Sequence, residues 1–204
     1  MLDGVMRRLI DPPLARAGQW IARWGITANQ VTLAGLVAAL VAACLVALDC
    51  TLLALAAILA SRLADGLDGA VAGATQRTGF GGYIDIVADF VFYGAVPLGF
   101  VALDPAANGL AGAFLILCFY VNGGSFLGYA ILAERHGMKT AARGSKSLYF
   151  TGGLLEGTET IVFFVLLCIV PQHFAPLAFA FGALTLVTTV SRVRLAWQVF
   201  STRE

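Results

Sequence analysis

Asp65, Asp68, Asp85 and Asp89 fall within one short stretch of a chain that is otherwise 59% hydrophobic and only 12% charged. Carboxylates at membrane depth are expensive and by default mark functional positions. Residues three or four apart on a helix share a face, so each pair presents two acids in one direction. Two such pairs brought together repel strongly unless cations neutralise them. All-oxygen donors suit Mg2+, Mn2+ or Ca2+ over softer metals. Four carboxylates are enough to hold two divalent ions, the arrangement that clamps a phosphoryl group under attack. No Cys or His lies inside the cluster, which argues against zinc. The bland alternative is a set of helix-end acids reaching out to water. Against it, two of the four lie over a turn inside their helices, and each pair keeps helical register.

The elements that must position these acids are membrane helices. Mean hydropathy is +0.86, and a soluble domain rarely exceeds about half apolar residues. Crossing the hydrocarbon as a helix takes about 20 apolar residues. Six such stretches are read at 28–48, 51–74, 80–103, 108–133, 147–170 and 174–196. Alternation at period two, the mark of a membrane barrel, is missing. Ahead of them, residues 1–26 carry Leu2, Val5, Met6, Leu9 and Ile10 at helical spacing, with Arg7 and Arg8 opposite. Pro12 and Pro13 are expected to end that helical pattern, and Trp20 and Trp24 suit the headgroup zone. This region reads as an amphipathic helix lying in the interface. The 204 residues leave room for one domain, 1–204, whose bundle spans 28–196. No signal peptide is expected, since the first 30 residues lack a short apolar core followed by a small-residue cleavage site.

Lys and Arg set the orientation. They gather before the first span, at Arg77, at Arg135, Lys139, Arg143 and Lys146, and near the carboxyl end, with Arg62 toward the inner half of the second span. The connections around Asp49, Asp104 and His173 hold none. By the positive-inside rule both termini face the cytoplasm. The second span then descends to the cytoplasmic side and the third climbs back. A short connection is expected to close them into an antiparallel hairpin, with all four carboxylates at one level near that surface. Net charge is +1, leaving no basic surface for a nucleic acid. Cys44, Cys50, Cys118 and Cys168 stand singly, without metal-site spacing, and read as small buried apolar side chains.

The stretch also resembles the motif of the CDP-alcohol phosphatidyltransferases, D-x-x-D-G-x-x-A-R followed by G-x-x-x-D-x-x-x-D. Asp65, Asp68, Gly69, Ala72, Gly81, Asp85 and Asp89 fill it in order, and "TANQVT" at the head of the first span is similar to the family's T-P-N-x-x-T. The motif's Arg is Gly73 here, and the segment from it to Gly81 is one residue shorter than usual. Arg77 is the candidate substitute. The resemblance implies transfer of a phosphatidyl group from CDP-diacylglycerol to an alcohol with release of CMP, two Mg2+ or Mn2+ ions, and a homodimer in a bacterial inner membrane with the active site facing the cytoplasm. Asp65, Asp68, Asp85 and Asp89 are then the metal ligands, with Asp89 also the base. Asn29, Thr32, Gly69, Ala72, Gly73, Arg77, Thr78 and Gly81 border the donor nucleotide, Asn29 and Thr32 at its rim.

The acceptor is less legible. Lys139, Arg143 and Lys146 stand beside the expected mouth of the site. They read either as a cradle for a phosphorylated acceptor or as ordinary positive-inside charge on anionic headgroups. Glu156 and Glu159, three apart and inside the expected fifth span, fit either acceptor binding or pairing with Arg192 or Arg194. Three other functions compete. An intramembrane prenyltransferase sets its two acidic motifs far apart in sequence, and here they are close. An ion-coupled carrier is favoured by an inverted repeat, and none is visible between the halves. A catalytically silent family member acting as a structural partner is favoured by the missing Arg and opposed by the intact acids.

Overall fold

The computed structural model describes residues 3–138, 155 and 157–201, with side chains from residue 9 onward. Lys139, Arg143, Lys146 and Glu156 therefore lie outside the described residues. Within them the chain is helical, without a strand: α1 (Asp3–Arg23), α2 (Ala28–Ala47), α3 (Thr51–Ala74), α4 (Gly79–Leu103), α5 (Pro105–Arg135), α6 (Gly157–Ile169) and α7 (Phe174–Phe200), with a 3-10 turn at Pro171–His173. Helices are what an apolar chain must form in lipid, where exposed backbone groups find no partner.

Local capping fixes where three of them start. Thr27 caps α2 reciprocally: Gln30 N donates to its Oγ1 at 3.3 Å, and its own N–H donates to Gln30 Oε1 at 2.9 Å. Thr78 caps α4 by accepting from Gly81 N at 2.9 Å. Asp104 caps α5, with Ala107 N donating at 3.0 Å, and Pro105 takes the first helical position, where a missing N–H costs nothing.

α2, α4, α5 and the segment Pro171–Phe200 are long and apolar enough to cross a membrane, and the chain is an integral membrane protein. α3, with 24 residues, is just as long but carries Arg62, Asp65 and Asp68 in its second half. The described part of α6 is 13 residues, too short by itself to cross.

Two expectations about α1 and the cysteines need correction. α1 runs unbroken through Pro12 and Pro13. Both prolines are exposed, so the carbonyls they deprive of partners, at Arg8 and Leu9, belong to the outer side. The helix is held by packing on α3 instead. A side chain at Gly18 would meet the Cβ of Ala70 at 2.7 Å, so only glycine allows this approach, and Leu14 reaches Gly66. Cys118 and Cys168 are buried as expected, whereas Cys44 and Cys50 are exposed on the outer face of the bundle.

α2 is the axis of the amino-terminal half and packs against both α3 and α4; α5 pairs with α7, and α6 lies against α3. The centre is aromatic. Phe92, Phe100, Phe164 and Phe174 are fully buried. Phe92 meets Phe164 edge-on at 5.4 Å, and Phe100 stacks on Phe174 at 4.9 Å, geometries that add to the area buried. With no hydrophobic drive between helices in lipid, such packing is what holds the bundle.

Candidate active site

The two acidic pairs sit where the hydropathy pattern puts them, Asp65 and Asp68 late in α3 and Asp85 and Asp89 early in α4. The helices joined by residues 75–78 do not form the close hairpin expected of so short a connection. Among the described residues α3 and α4 share no extended packed face, and each lies against α2. Four carboxylates on opposed faces are a physical reason for the two helices to stand apart. Side chains bridge the gap.

Asp68 and Asp85 lie about one helical turn from Asp65 and Asp89 in their helices. Asp65 and Asp89 meet at Arg62, one helical turn before Asp65. Its Nη1 donates to Asp89 Oδ1 at 2.7 Å and lies 3.7 Å from Asp65 Oδ1. The guanidinium carbon stands 3.8 Å from the centroid of the Phe92 ring, a cation–π contact made across from α3 to α4. Arg62 Nη2 donates to Ser61 Oγ at 3.3 Å. The Arg62 side chain is 10% exposed, while those of Asp65 and Asp89 are 37% and 36% exposed. The cation is inside and the acids face outward from it.

Asp68 is buried, and its Oδ2 accepts a short hydrogen bond from Thr32 Oγ1 on α2. Thr32 is therefore not at an open rim: it is 6% exposed and supports a carboxylate. Asn29 lies one helical turn earlier, against Gly81. A Cβ on Gly81 would stand 3.0 Å from Thr78 Oγ1 and 3.1 Å from Asn29 Oδ1, so the glycine lets α2 and the α4 cap converge. Gly69, Gly73, Arg77 and Thr78 are exposed along one edge, with Ala72 half-buried. Arg77 Nη2 lies 3.7 Å from where a Gly73 side chain would begin. The guanidinium thus stands beside the position where the motif carries its arginine.

The donor set fits a hard divalent cation, being carboxylate oxygens with a threonine hydroxyl behind them. Asp65 and Asp89 are engaged by Arg62 and Asp68 by Thr32 as they stand, and among the described residues no three acids are gathered closely enough to grip an ion. Glu159 is half-buried on the first described turn of α6. Arg192 on α7 donates to Asn122 O at 3.0 Å, Asn122 Oδ1 at 2.9 Å and Ser125 Oγ at 2.8 Å, which ties α7 to α5. From the sequence Arg62 counts only among the cations that set the orientation. Its spacing of three from Asp65 was the available signal, since residues so spaced share a face.

Comparison with known proteins shows the family and the fold. The model of the CDP-alcohol phosphatidyltransferase family matches residues 25–191. Inner membrane protein YnjF of Escherichia coli is 44% identical over 193 residues, covering 95% of this chain and 94% of that protein. Archaetidylinositol phosphate synthase of Pyrococcus horikoshii is 32% identical over 117 residues, 54% of this chain and 62% of that one. The crystal structure of Mycobacterium tuberculosis phosphatidylinositol phosphate synthase with CDP-DAG bound shares the fold, with a TM-score of 0.69 at 20% identity over 90% of this chain and 93% of that one. The same enzyme with manganese and citrate superposes with a TM-score of 0.64 at 20% identity, over 90% and 88% of the two chains. The chain belongs to the CDP-alcohol phosphatidyltransferase family and is an enzyme of that class.

Proposed function

We propose that this enzyme transfers the phosphatidyl group of CDP-diacylglycerol to an alcohol and releases CMP. The observation that carries the reading is that Asp65 of α3 and Asp89 of α4 meet at Arg62, with Asp68 buried beside Thr32 and Asp85 one turn before Asp89. Asp65, Asp68, Asp85 and Asp89 would hold two divalent ions, Mg2+ or Mn2+. Bound there, such ions supply charge stabilisation to the pyrophosphate and to the departing CMP.

The chain's own residues do the rest. Asp89, on the open side of the cluster, accepts the proton as the acceptor hydroxyl oxygen bonds to the phosphatidyl phosphorus. The phosphorus–oxygen bond to CMP breaks, and CMP leaves with the electron pair. Thr32 keeps Asp68 oriented. Asn29, Gly69, Ala72, Gly73, Thr78 and Gly81 border the nucleotide, and Arg77 supplies the cation that Gly73 lacks. Lys139, Arg143 and Lys146, together with Glu156 and Glu159, are the candidates to meet the acceptor.

In this reading the chain is one domain over 1–204, α1 lies in the interface, and α2 to α7 cross a bacterial inner membrane. Both ends and the active site face the cytoplasm, and the enzyme works as a homodimer, which the mass of the purified particle tests. The name carried by the YnjF relative supports the membrane assignment, and the manganese in the mycobacterial crystal supports the metal.

The test is direct. Purified protein is incubated with CDP-diacylglycerol, Mg2+ or Mn2+, and a panel of inositol phosphate, glycerol 3-phosphate, inositol and choline. Release of CMP that needs both a metal and one of the alcohols is expected. Silence across a panel broadened to further polyols, amino alcohols and their phosphates would overturn the reading.

A further inference from the structure

Among the described residues Arg62 is the one cation paired with the acids of α3 and α4, and the family motif has no part for it. Arginine at this depth is expensive, and a guanidinium has five N–H donors to satisfy. Nη1 and Nη2 reach Asp89 and Ser61, but Arg62 Nε is buried without a hydrogen-bond partner among the described residues. A guanidinium serving only to fasten two helices would be expected to have all its donors met. This one is held by charge and by the face of Phe92, three residues on from Asp89 along α4. It also occupies Asp89 Oδ1, an oxygen the proposed reaction needs.

We propose that Arg62 is a positioning residue of the active site: it holds Asp89 across the gap between α3 and α4 and competes with one divalent cation for its oxygen. The inference rests on the metal-dependent reading above. With Arg62 present the group carries four carboxylates and one cation, which keeps the charge low enough for the acids to stay together. A divalent ion entering next to Asp89 must displace Nη1, while the Phe92 face on which the guanidinium already rests keeps it close by. Metal binding is thereby weakened and made reversible, while Asp89 keeps its direction.

The experiment compares the wild-type protein with R62Q and R62K in detergent, titrating Mn2+ and following free ion by electron paramagnetic resonance. Losing a unit charge a few ångströms from a doubly charged ion is a large perturbation in a poorly hydrated site. R62Q is expected to bind Mn2+ about tenfold more tightly while kcat falls about tenfold or more and KM for CDP-diacylglycerol changes little. R62K, which keeps the charge, is expected to restore Mn2+ affinity to within about twofold of wild type. In a D89N background R62Q should change Mn2+ affinity far less, because the contested oxygen's charge is gone. Equal or weaker Mn2+ binding by R62Q in a wild-type background would overturn the proposal. If R62Q fails to fold, R62K decides alone: Mn2+ affinity shifted well beyond twofold would overturn it. Wild-type protein that neither binds Mn2+ nor releases CMP would instead sink the underlying reading.

Discussion

Among the described residues, Arg62 and Arg192 are the two arginines half-buried in the helical bundle, and they teach opposite lessons. Arg192, on α7, gives its Nη1 to Asn122 and Ser125 on α5 and sits 5.6 Å from the Phe126 ring centroid. Arg62, on α3, gives its Nη1 to an aspartate on α4 and lies 3.8 Å from the Phe92 ring centroid. The Asn122 and Ser125 oxygens that accept from Arg192 are neutral and join helices that already pack along their length. Carboxylates around Arg62 bridge helices that share no extended face. Hydrogen bonds to neutral groups fasten a structure, whereas a cation among acids leaves a charge balance that a second cation can change. The α5–α7 region is thus a joint and the α3–α4 region a site.

The largest effect that would sharpen this contrast is at Asp89. D89N removes the proposed base while keeping most of the metal group, and kcat should fall on the order of a thousandfold with CDP-diacylglycerol binding largely retained. Full activity in D89N would remove Asp89 from the chemistry. Next comes Arg77. R77A should raise KM for CDP-diacylglycerol about tenfold with kcat little changed, the loss of one charge-assisted hydrogen bond to a phosphate. An unchanged KM would end its role as the substitute for the motif's arginine. A smaller change is expected at Thr32, whose hydroxyl supports Asp68. T32V should weaken Mn2+ binding severalfold, through a buried acceptor left short of a donor worth about 1–3 kcal/mol. Smallest at the site is Asn122. N122A should lower the melting temperature by a few degrees, about 1 kcal/mol, and leave Mn2+ affinity as in wild type. A shift in Mn2+ affinity there would break the division between joint and site.

Much of this was legible in the residues themselves. Hydropathy sets α2 at Ala28 and α3 at Thr51–Ala74 as expected, because lipid makes length and apolarity decisive. α5 begins at Pro105 and not at 108, because Asp104 and Pro105 form a cap that hydropathy cannot see. The acids were legible from their type and spacing. What they touch was not. That Arg62 reaches Asp89, that Thr32 turns inward to Asp68, and that α3 and α4 both lean on α2 depend on contacts between distant segments. The helix through Pro12 and Pro13 was misread for the same reason: packing of Gly18 on Ala70 outweighs a local breaker.

The central claim, that carboxylates of α3 and α4 together take up divalent cations, is tested most directly by anomalous diffraction from crystals soaked in Mn2+. Two anomalous peaks in contact with oxygens of Asp65, Asp68, Asp85 and Asp89 are predicted, with Arg62 Nη1 drawn away from Asp89. Carboxylates left apart, with no manganese between them at saturating concentration, would contradict it.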